Sequence, residues 1–275
     1  MRSAVSTLEL RTPATLDEAL AMLADDPELV PLAGGTDLYV ELQFGTREPR
    51  AYIDVSRLPE LRFIEERGWA LALGGGATFA EVGRSDVVRR RLPMLAEAAA
   101  TIGGAQIQAR ATVAGNVANA SPAGDSLPVF AAAEADVVLR SAHGERRVPF
   151  TDFFTGYRRT RLEPGELIVA VEVPPVPGAQ WFRKVGTRAA QAISKVVVAA
   201  VRADPPRIAF GSVAPTPVRA RATEAALAKG ASGEDVRAAV ARDIQPIDDL
   251  RSSAAYRLAV AGNLVLRWWE GGGGA

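Results

Sequence analysis

Apolar residues first fall into a regular pattern at residues 15–24, where Leu16, Ala19, Leu20 and Leu23 share one helical face. The preceding Thr15-Leu-Asp-Glu18 is a capping box, so the pattern predicts a short amphipathic helix. The apolar run Leu29 to Ala33 then reads as a buried strand, broken by Gly34-Gly35. Thr36 is placed to cap a helix from Asp37 to Phe44 that Gly45 ends. Ala51 to Val55 and Trp69 to Leu73 read as further short strands, the second running into Gly74-Gly-Gly76. Thr78-Phe-Ala-Glu81 is a second capping box. An alanine-rich helix follows at 93–101, with Pro93 near its start and Gly103-Gly104 past its end. Ser126-Leu-Pro128 opens another through Glu134.

From Asp136 the pattern shortens to alternation. Asp136 to Arg140, a turn at His143-Gly144, and Arg146 to Val148 predict a β-hairpin. Phe150 to Tyr157 is aromatic and reads as a core plug under a loop rather than a stacking platform. Glu166 to Val173 is a strand, and Pro174-Pro-Val-Pro-Gly178 a break that marks a domain boundary. Beyond it, Gln180 to Val185, Ala192 to Val201 and Arg207 to Val213 predict a three-stranded antiparallel sheet. Helices follow at about 218–229, 233–242 and 252–269. Trp268-Trp269 covers the end of the last one or marks a subunit contact.

Composition narrows the chemistry. The chain has 275 residues, enough for two domains, with 48% hydrophobic and 23% charged residues, an ordinary globular balance. Lys+Arg and Asp+Glu are equal at 32 each, which gives no reason to expect nucleic acid or an anionic membrane as partner. There is no cysteine, hence no disulfide, thiolate nucleophile, cysteine-ligated zinc or cysteine-ligated iron–sulfur cluster. The single histidine, His143, sits at the predicted hairpin tip, with no nucleophile elbow to accompany it. With protein-borne chemistries so thinned, a cofactor that brings its own is favoured. Met1 to Leu10 has no apolar signal segment and no run is long enough to span a bilayer, so a soluble cytoplasmic protein is expected. Gly271 to Ala275 reads as a disordered end.

Two glycine-containing stretches carry the candidate chemistry. In Pro31-Leu-Ala-Gly-Gly-Thr-Asp-Leu38, a strand, a glycine loop and a helix start would offer free N–H groups and a positive dipole end to an anion. It lacks the G-x-G-x-x-G of a dinucleotide fold and the Gly-Lys-Ser/Thr of a P-loop, and a plain tight turn fits it equally well. Arg110 to Asp125 is rich in small residues, amides and hydroxyls, suited to close backbone approach to a ligand. Together the two could grip the phosphates of one large polar cofactor. Asp37 and Asp125 could pair as acid and base, although ligand hydrogen bonding or helix capping suits each better.

These motifs, in this order, resemble a known family. Ala-Gly-Gly-Thr-Asp-Leu at 33–38, Thr-Val-Ala-Gly-Asn-(x)4-Ser-Pro-(x)2-Asp at 112–125 and Phe154-Thr-Gly-Tyr-Arg-Arg-Thr-(x)2-Glu-Pro-Gly-Glu166 are similar to the FAD-binding medium subunit of molybdenum hydroxylases. This is the carbon monoxide dehydrogenase, xanthine dehydrogenase and aldehyde oxidase family. Trp181 to Arg188, Ala214 to Arg219 and Pro246 to Ser253 resemble its C-terminal domain. The resemblance implies an α+β fold: a two-subdomain FAD-binding domain like that of vanillyl-alcohol oxidase over residues 1–175 (subdomains about 1–56 and 57–175). A small C-terminal domain over 176–270, with the three-stranded sheet and helices, and the tail 271–275 complete it.

The resemblance also implies roles. Leu32, Ala33, Gly34, Gly35, Thr36 and Asp37 would wrap the FAD pyrophosphate, with N–H groups of Ala33 to Thr36 as donors. Ala114, Gly115 and Asn116 would form a second loop beside the hydroxyls of Thr112 and Ser121. Asp125 would hydrogen-bond the cofactor, Leu167 and Ile168 would meet its adenine end, and Lys184 would stand at the flavin. Two positions depart from the family pattern. Ala114 replaces a glycine, acceptable only at negative φ, and Gln191 falls where xanthine-oxidising relatives often carry an acid. The implied partners are a large subunit with a molybdenum cofactor and a small subunit with two [2Fe-2S] clusters, as a dimer of heterotrimers. FAD would pass electrons to NAD or another acceptor. The rival readings are a free-standing FAD-dependent oxidase or reductase, and a scaffold subunit without flavin.

Overall fold

The computed structural model describes residues 8–46 and 51–271. The readings made for residues 1–7 and for the tail at 272–275 lie outside the described residues. Among the described residues, three sheets and a two-stranded ribbon organise the fold. The first is small and parallel: β1 (Leu10–Arg11), β2 (Val30–Leu32) and β3 (Tyr52–Asp54) lie in the order β1-β3-β2. The helix Leu16–Asp25 accompanies it, burying Leu16, Ala19, Leu20 and Leu23 as their spacing requires. Thr15 caps that helix by accepting from the Glu18 N–H, while the Glu18 carboxylate takes the N–H of Ala14 rather than that of Thr15.

The second sheet is antiparallel. Its strands are β4 (Ile64–Arg67), β5 (Ala70–Gly74), β6 (Asp136–Ser141) and β7 (Gly144–Pro149). After a two-stranded ribbon, β8 (Phe154–Gly156) and β9 (Arg159–Thr160), comes β10 (Leu167–Val173), and the sheet order is β4-β5-β10-β6-β7. The central strand β10 is buried on both faces. Ile168, Val171 and Val173 enter one core, and Leu167, Val169 and Ala170 the other. A bulge between Ile168 and Ala170 puts two successive residues on the same side. The predicted hairpin is β6–β7, with His143 exposed at its turn. Phe150 and Phe153 are fully buried, and Phe154 meets both rings edge-on at 5.1 and 5.3 Å, so the aromatic stretch is a core plug. Tyr157 departs from it and is exposed at the ribbon turn.

The third sheet runs β11 (Ala179–Val185), β12 (Val196–Arg202), β13 (Arg207–Gly211) and β14 (Val218–Arg219), all antiparallel. The three predicted strands are present. Val218–Arg219, read as the start of a helix, instead adds a short edge strand, and the helix begins at Arg221. Val197, Ala199 and Val201 of β12 join the core under the second sheet. Val196, Val198 and Ala200 face the helices Arg221–Ala228, Gly233–Asp243 and Ala254–Glu270. Trp268 is buried in that second core, and Trp269 lies under the Arg202 guanidinium at 4.4 Å. The helix Leu127–Ala132 has no polar face. All six of its residues are buried, and it packs on β12 and β13 within the core of the second sheet. No helix among the described residues is long and apolar enough to cross a membrane.

Candidate functional site

A groove of ≈ 290 Å³ opens between the first and second sheets. Leu32 to Asp37 form part of its lining, Thr112 and Ala114 to Asn116 another, and Leu167 and Ile168 at the start of β10 a third. Twelve of the fifteen residues singled out in the sequence therefore meet at one place, although they come from three distant segments.

The loop after β2 can lie where it does only because it is glycine. A Cβ on Gly34 would stand 2.0 Å from the Arg110 carbonyl oxygen, so this backbone is pressed against the chain leading into the opposite wall. Gly35 has φ +75°, and a Cβ there would also meet the Tyr39 ring at 2.8 Å. The N–H groups of Ala33, Gly34, Gly35 and Thr36 donate to no acceptor among the described residues. Thr36 is not the helix cap. Asp37 takes that place without a side-chain cap bond, and the helix is Leu38–Phe44, ended by Gly45 at φ +66°. The Asp37 carboxyl sits above its ordinary value because surrounding protein displaces water from it, an effect opposed by the Arg158 charge and an Asn119 hydrogen bond.

The second stretch differs from its reading as a loop. Val113–Asn119 is a short helix capped by Thr112, whose hydroxyl accepts from the Gly115 N–H at 3.1 Å. Its leading amides are already spent. Val113 donates to the Ala77 carbonyl, Ala114 to that of Gly75 and Asn116 to that of Thr112. This wall therefore offers mainly shape and side chains, while the consecutive backbone donors left open among the described residues lie on the Ala33–Thr36 loop. Ala114 has helical, negative φ, so its methyl is compatible with the position. The close approach is made instead at Gly75, where a Cβ would stand 2.3 Å from the Ile168 oxygen and 3.1 Å from the Ala114 methyl carbon.

Ser121, Asp125 and Lys184 do not line the groove. The Ser121 hydroxyl accepts from the Ala123 N–H at 3.3 Å and fixes the turn before Asp125. Lys184 Nζ lies 2.6 Å from Asp125 Oδ2, with both side chains about nine-tenths buried, and also donates to the Thr101 carbonyl at 2.9 Å. Burial pushes the Asp125 carboxyl up and the lysine opposes that; its Oδ1 has no partner among the described residues. Next to Asp125 in the chain, Ser126 reaches the groove wall, its Oγ donating to Asn116 Oδ1 at 2.7 Å. Asp37 and Asp125 thus stand in separate surroundings and form no acid/base pair. Gln191 has φ +52°, and its amide nitrogen would lie 3.1 Å from a Cβ on Gly104.

Sequence reasoning missed three polar residues of the lining: Glu41, Asn119 and Glu166. Arg146 holds both oxygens of Glu166 at 2.6 and 2.8 Å. Burial alone would raise that carboxyl, but the Arg146 bonds and the Glu163 N–H outweigh it and hold it below its ordinary value. Arg158 donates to Glu41 at 3.1 Å and to Asn119 at 3.0 Å. Glu166 and Arg158 both lie inside the 154–166 motif, which is the one signal that pointed toward them.

Comparison with known proteins places this geometry. Residues 6–176 match the family model for the FAD binding domain in molybdopterin dehydrogenase, and residues 181–271 that for the CO dehydrogenase flavoprotein C-terminal domain. The chain is 35% identical over 273 residues to the carbon monoxide dehydrogenase medium chain of Hydrogenophaga pseudoflava, covering 94% of each. It is 35% identical over 261 residues to the xanthine dehydrogenase FAD-binding subunit of Escherichia coli O157:H7, covering 89% of each. Among solved structures, carbon monoxide dehydrogenase from Hydrogenophaga pseudoflava superposes with a TM-score of 0.88 at 34% identity, over 94% of this chain and 95% of that one. Quinoline 2-oxidoreductase from Pseudomonas putida 86 gives 0.88 at 26% identity, over 98% and 99%.

Proposed function

The chain belongs to the FAD-binding medium subunits of the molybdenum hydroxylases, a family of oxidoreductases, and from that premise we propose that its groove holds FAD for electron transfer within a larger complex. One observation carries the reading. Four consecutive N–H groups, Ala33 to Thr36, lie without acceptors among the described residues on a glycine loop that lines the groove. Such a run of donors suits the oxygens of a diphosphate. A second feature supports the fit: Gly34 and Gly75 let the groove's walls pack backbone to backbone, with an added Cβ standing 2.0 Å from the Arg110 oxygen and 2.3 Å from the Ile168 oxygen.

Bound FAD supplies the redox chemistry, taking up electrons and passing them on. The polypeptide's part is to bind and orient. Ala33 to Thr36 would hold the diphosphate through backbone donors. Thr112, Ala114, Gly115 and Asn116 would form the wall against which the cofactor lies, and Leu32, Leu167 and Ile168 would give apolar contact toward its adenine end. Asp37 would close the mouth. Ser121, Asp125 and Lys184 act one step back in this reading, fixing Asn116 through Ser126. The lack of cysteine in the chain suits a complex whose [2Fe-2S] clusters sit in a small subunit and whose molybdenum cofactor sits in a large one. Electrons would arrive from those clusters and leave to NAD or another acceptor.

The test begins with the visible spectrum of the purified full chain and the mass of any cofactor it releases. It continues with Ala118→Trp, which adds bulk at an exposed groove-lining position of the helix Val113–Asn119 without entering the core. FAD is expected on the parent chain, directly or after reconstitution, and is expected to be lost from the variant with thermal stability unchanged. Retention of FAD by Ala118→Trp would show that the cofactor lies elsewhere. Co-purification with large and small subunits tests the assembly.

A further inference from the structure

The groove proposed for an anionic cofactor is lined by acids. Asp37, Glu41 and Glu166 border it, and among the described residues no lysine, arginine or histidine does. Each carboxylate opposes the approach of a diphosphate in a space partly shielded from water. Glu166 is compensated directly by the two bonds from Arg146. The acids at the mouth are compensated from elsewhere in the chain. Arg158 sits in the two-residue turn of the ribbon β8–β9 with φ +52°, a backbone state that residues other than glycine adopt infrequently. Its Nη1 reaches Glu41 at 3.1 Å and Asn119 at 3.0 Å. Those two acceptors stand on different walls, Glu41 on the helix Leu38–Phe44 and Asn119 at the end of Val113–Asn119. Asp37, at the same mouth, also feels the Arg158 charge, which favours its ionised form. The Arg158 guanidinium thus bears on both acids at the mouth and joins one wall to the other.

We infer that Arg158 is a positioning residue of the cofactor site, supplying the positive charge that lets an acid-bordered groove accept a diphosphate while holding its two walls in register. The inference rests on reading the groove as the FAD site. Arg158 then acts in part through Glu41: removing the arginine raises the repulsion that Glu41 exerts on the ligand, and removing both lowers it again.

The experiment compares the flavin-free full chain with Arg158→Gln, Glu41→Gln, the double variant and Arg158→Lys. FAD is titrated at low and high salt, and riboflavin, which has the ring system but no phosphate, is the second probe. Arg158→Gln is expected to weaken FAD binding about tenfold at low salt and less at high salt. Riboflavin binding should not change. Adding Glu41→Gln should restore most of the lost FAD affinity, and Arg158→Lys should retain most of it. Unchanged FAD binding in Arg158→Gln overturns the inference. So does a loss that is equal for riboflavin or undiminished by Glu41→Gln, since that would be the signature of a mechanical strap alone. Ala118→Trp separates the two levels. If it leaves FAD bound, the groove reading fails; if it expels FAD while Arg158→Gln does nothing, only the role given to Arg158 fails.

Discussion

Replacing Gly34 by alanine should damage the fold and the cofactor site together. The added Cβ would lie 2.0 Å from the Arg110 oxygen, about 1.4 Å short of the 3.4 Å at which ordinary contact begins. The obstacle is backbone, so no side-chain rotation relieves it. Either the Ala33–Thr36 loop or the chain at Arg110 must move by roughly that distance, and overpacking of this kind costs about 1–3 kcal/mol. A shift of that size also carries the loop's N–H donors out of hydrogen-bonding range. Losing one or two bonds to a charged group, at about 1.5–3 kcal/mol each, corresponds to at least about a tenfold loss of FAD affinity. Urea unfolding of the flavin-free chain measures the first effect and a fluorescence titration with FAD the second. Gly83→Ala is the internal standard. Gly83 lies in the helix Phe79–Arg84, where the nearest atom to an added Cβ is 3.9 Å away, so alanine should stabilise by about 0.5–1 kcal/mol. A Gly34→Ala chain as stable as the parent, binding FAD as tightly, would refute the close-approach argument.

Lys184→Met should destabilise by about 3–5 kcal/mol, because it leaves Asp125 buried without its partner; adding Asp125→Asn should recover part of that in a denaturant titration. Asp249→Asn tests a depressed carboxyl on the loop before the last helix. Burial opposes ionisation of Asp249, but the N–H groups of Arg251 and Ser252 and the buried Arg257 outweigh it and leave the group at about 2. Its folded value lies below its unfolded one, so its contribution is fully present above about pH 4. It fades as pH falls toward 2, and the urea midpoints of parent and variant should converge over that interval. Trp268→Ala should cost about 3–5 kcal/mol, since Trp268 is 2% exposed in the core beneath the third sheet, and thermal unfolding would show it.

What could be read from the sequence was what depends on near neighbours. The Thr78–Glu81 capping box forms with both reciprocal bonds, and the Asp136–Pro149 hairpin pairs as its alternation predicted. The helix Val113–Asn119 escaped because Val-Ala-Gly-Asn-Val-Ala-Asn has weak helix propensity and is held by docking: its first amides bond to Ala77 and Gly75. Thr112 was the available cap signal, but glycine stands three residues on where a capping box has Glu or Gln. At Thr36 the opposite error arose. A good capping residue was present, yet the loop's packing on Arg110 starts the helix one residue later. The groove's charge balance could not be read at all, because Arg158 and Glu41 are 117 residues apart and meet only once the ribbon and the first sheet are assembled.

The helix Leu127–Ala132, apolar on every side, bears on how this chain can be cut and recombined. Its partners belong to both segments recognised by the family models: β12 and β13 from the later one, and the core of the second sheet from the earlier. A fragment ending near residue 176 would turn the helix's β12-facing side to water, along with the apolar row that Val197, Ala199 and Val201 otherwise cover. It would also free Ser126, next to that helix, from the frame that aims it at Asn116 in the groove wall. Chimeras that graft the flavin half of one relative onto the tail of another should therefore aggregate unless this helix and its two facing strands come from the same parent. Inheritance by recombination would be expected to respect that seam, carrying the flavin half and its sheet as one cargo.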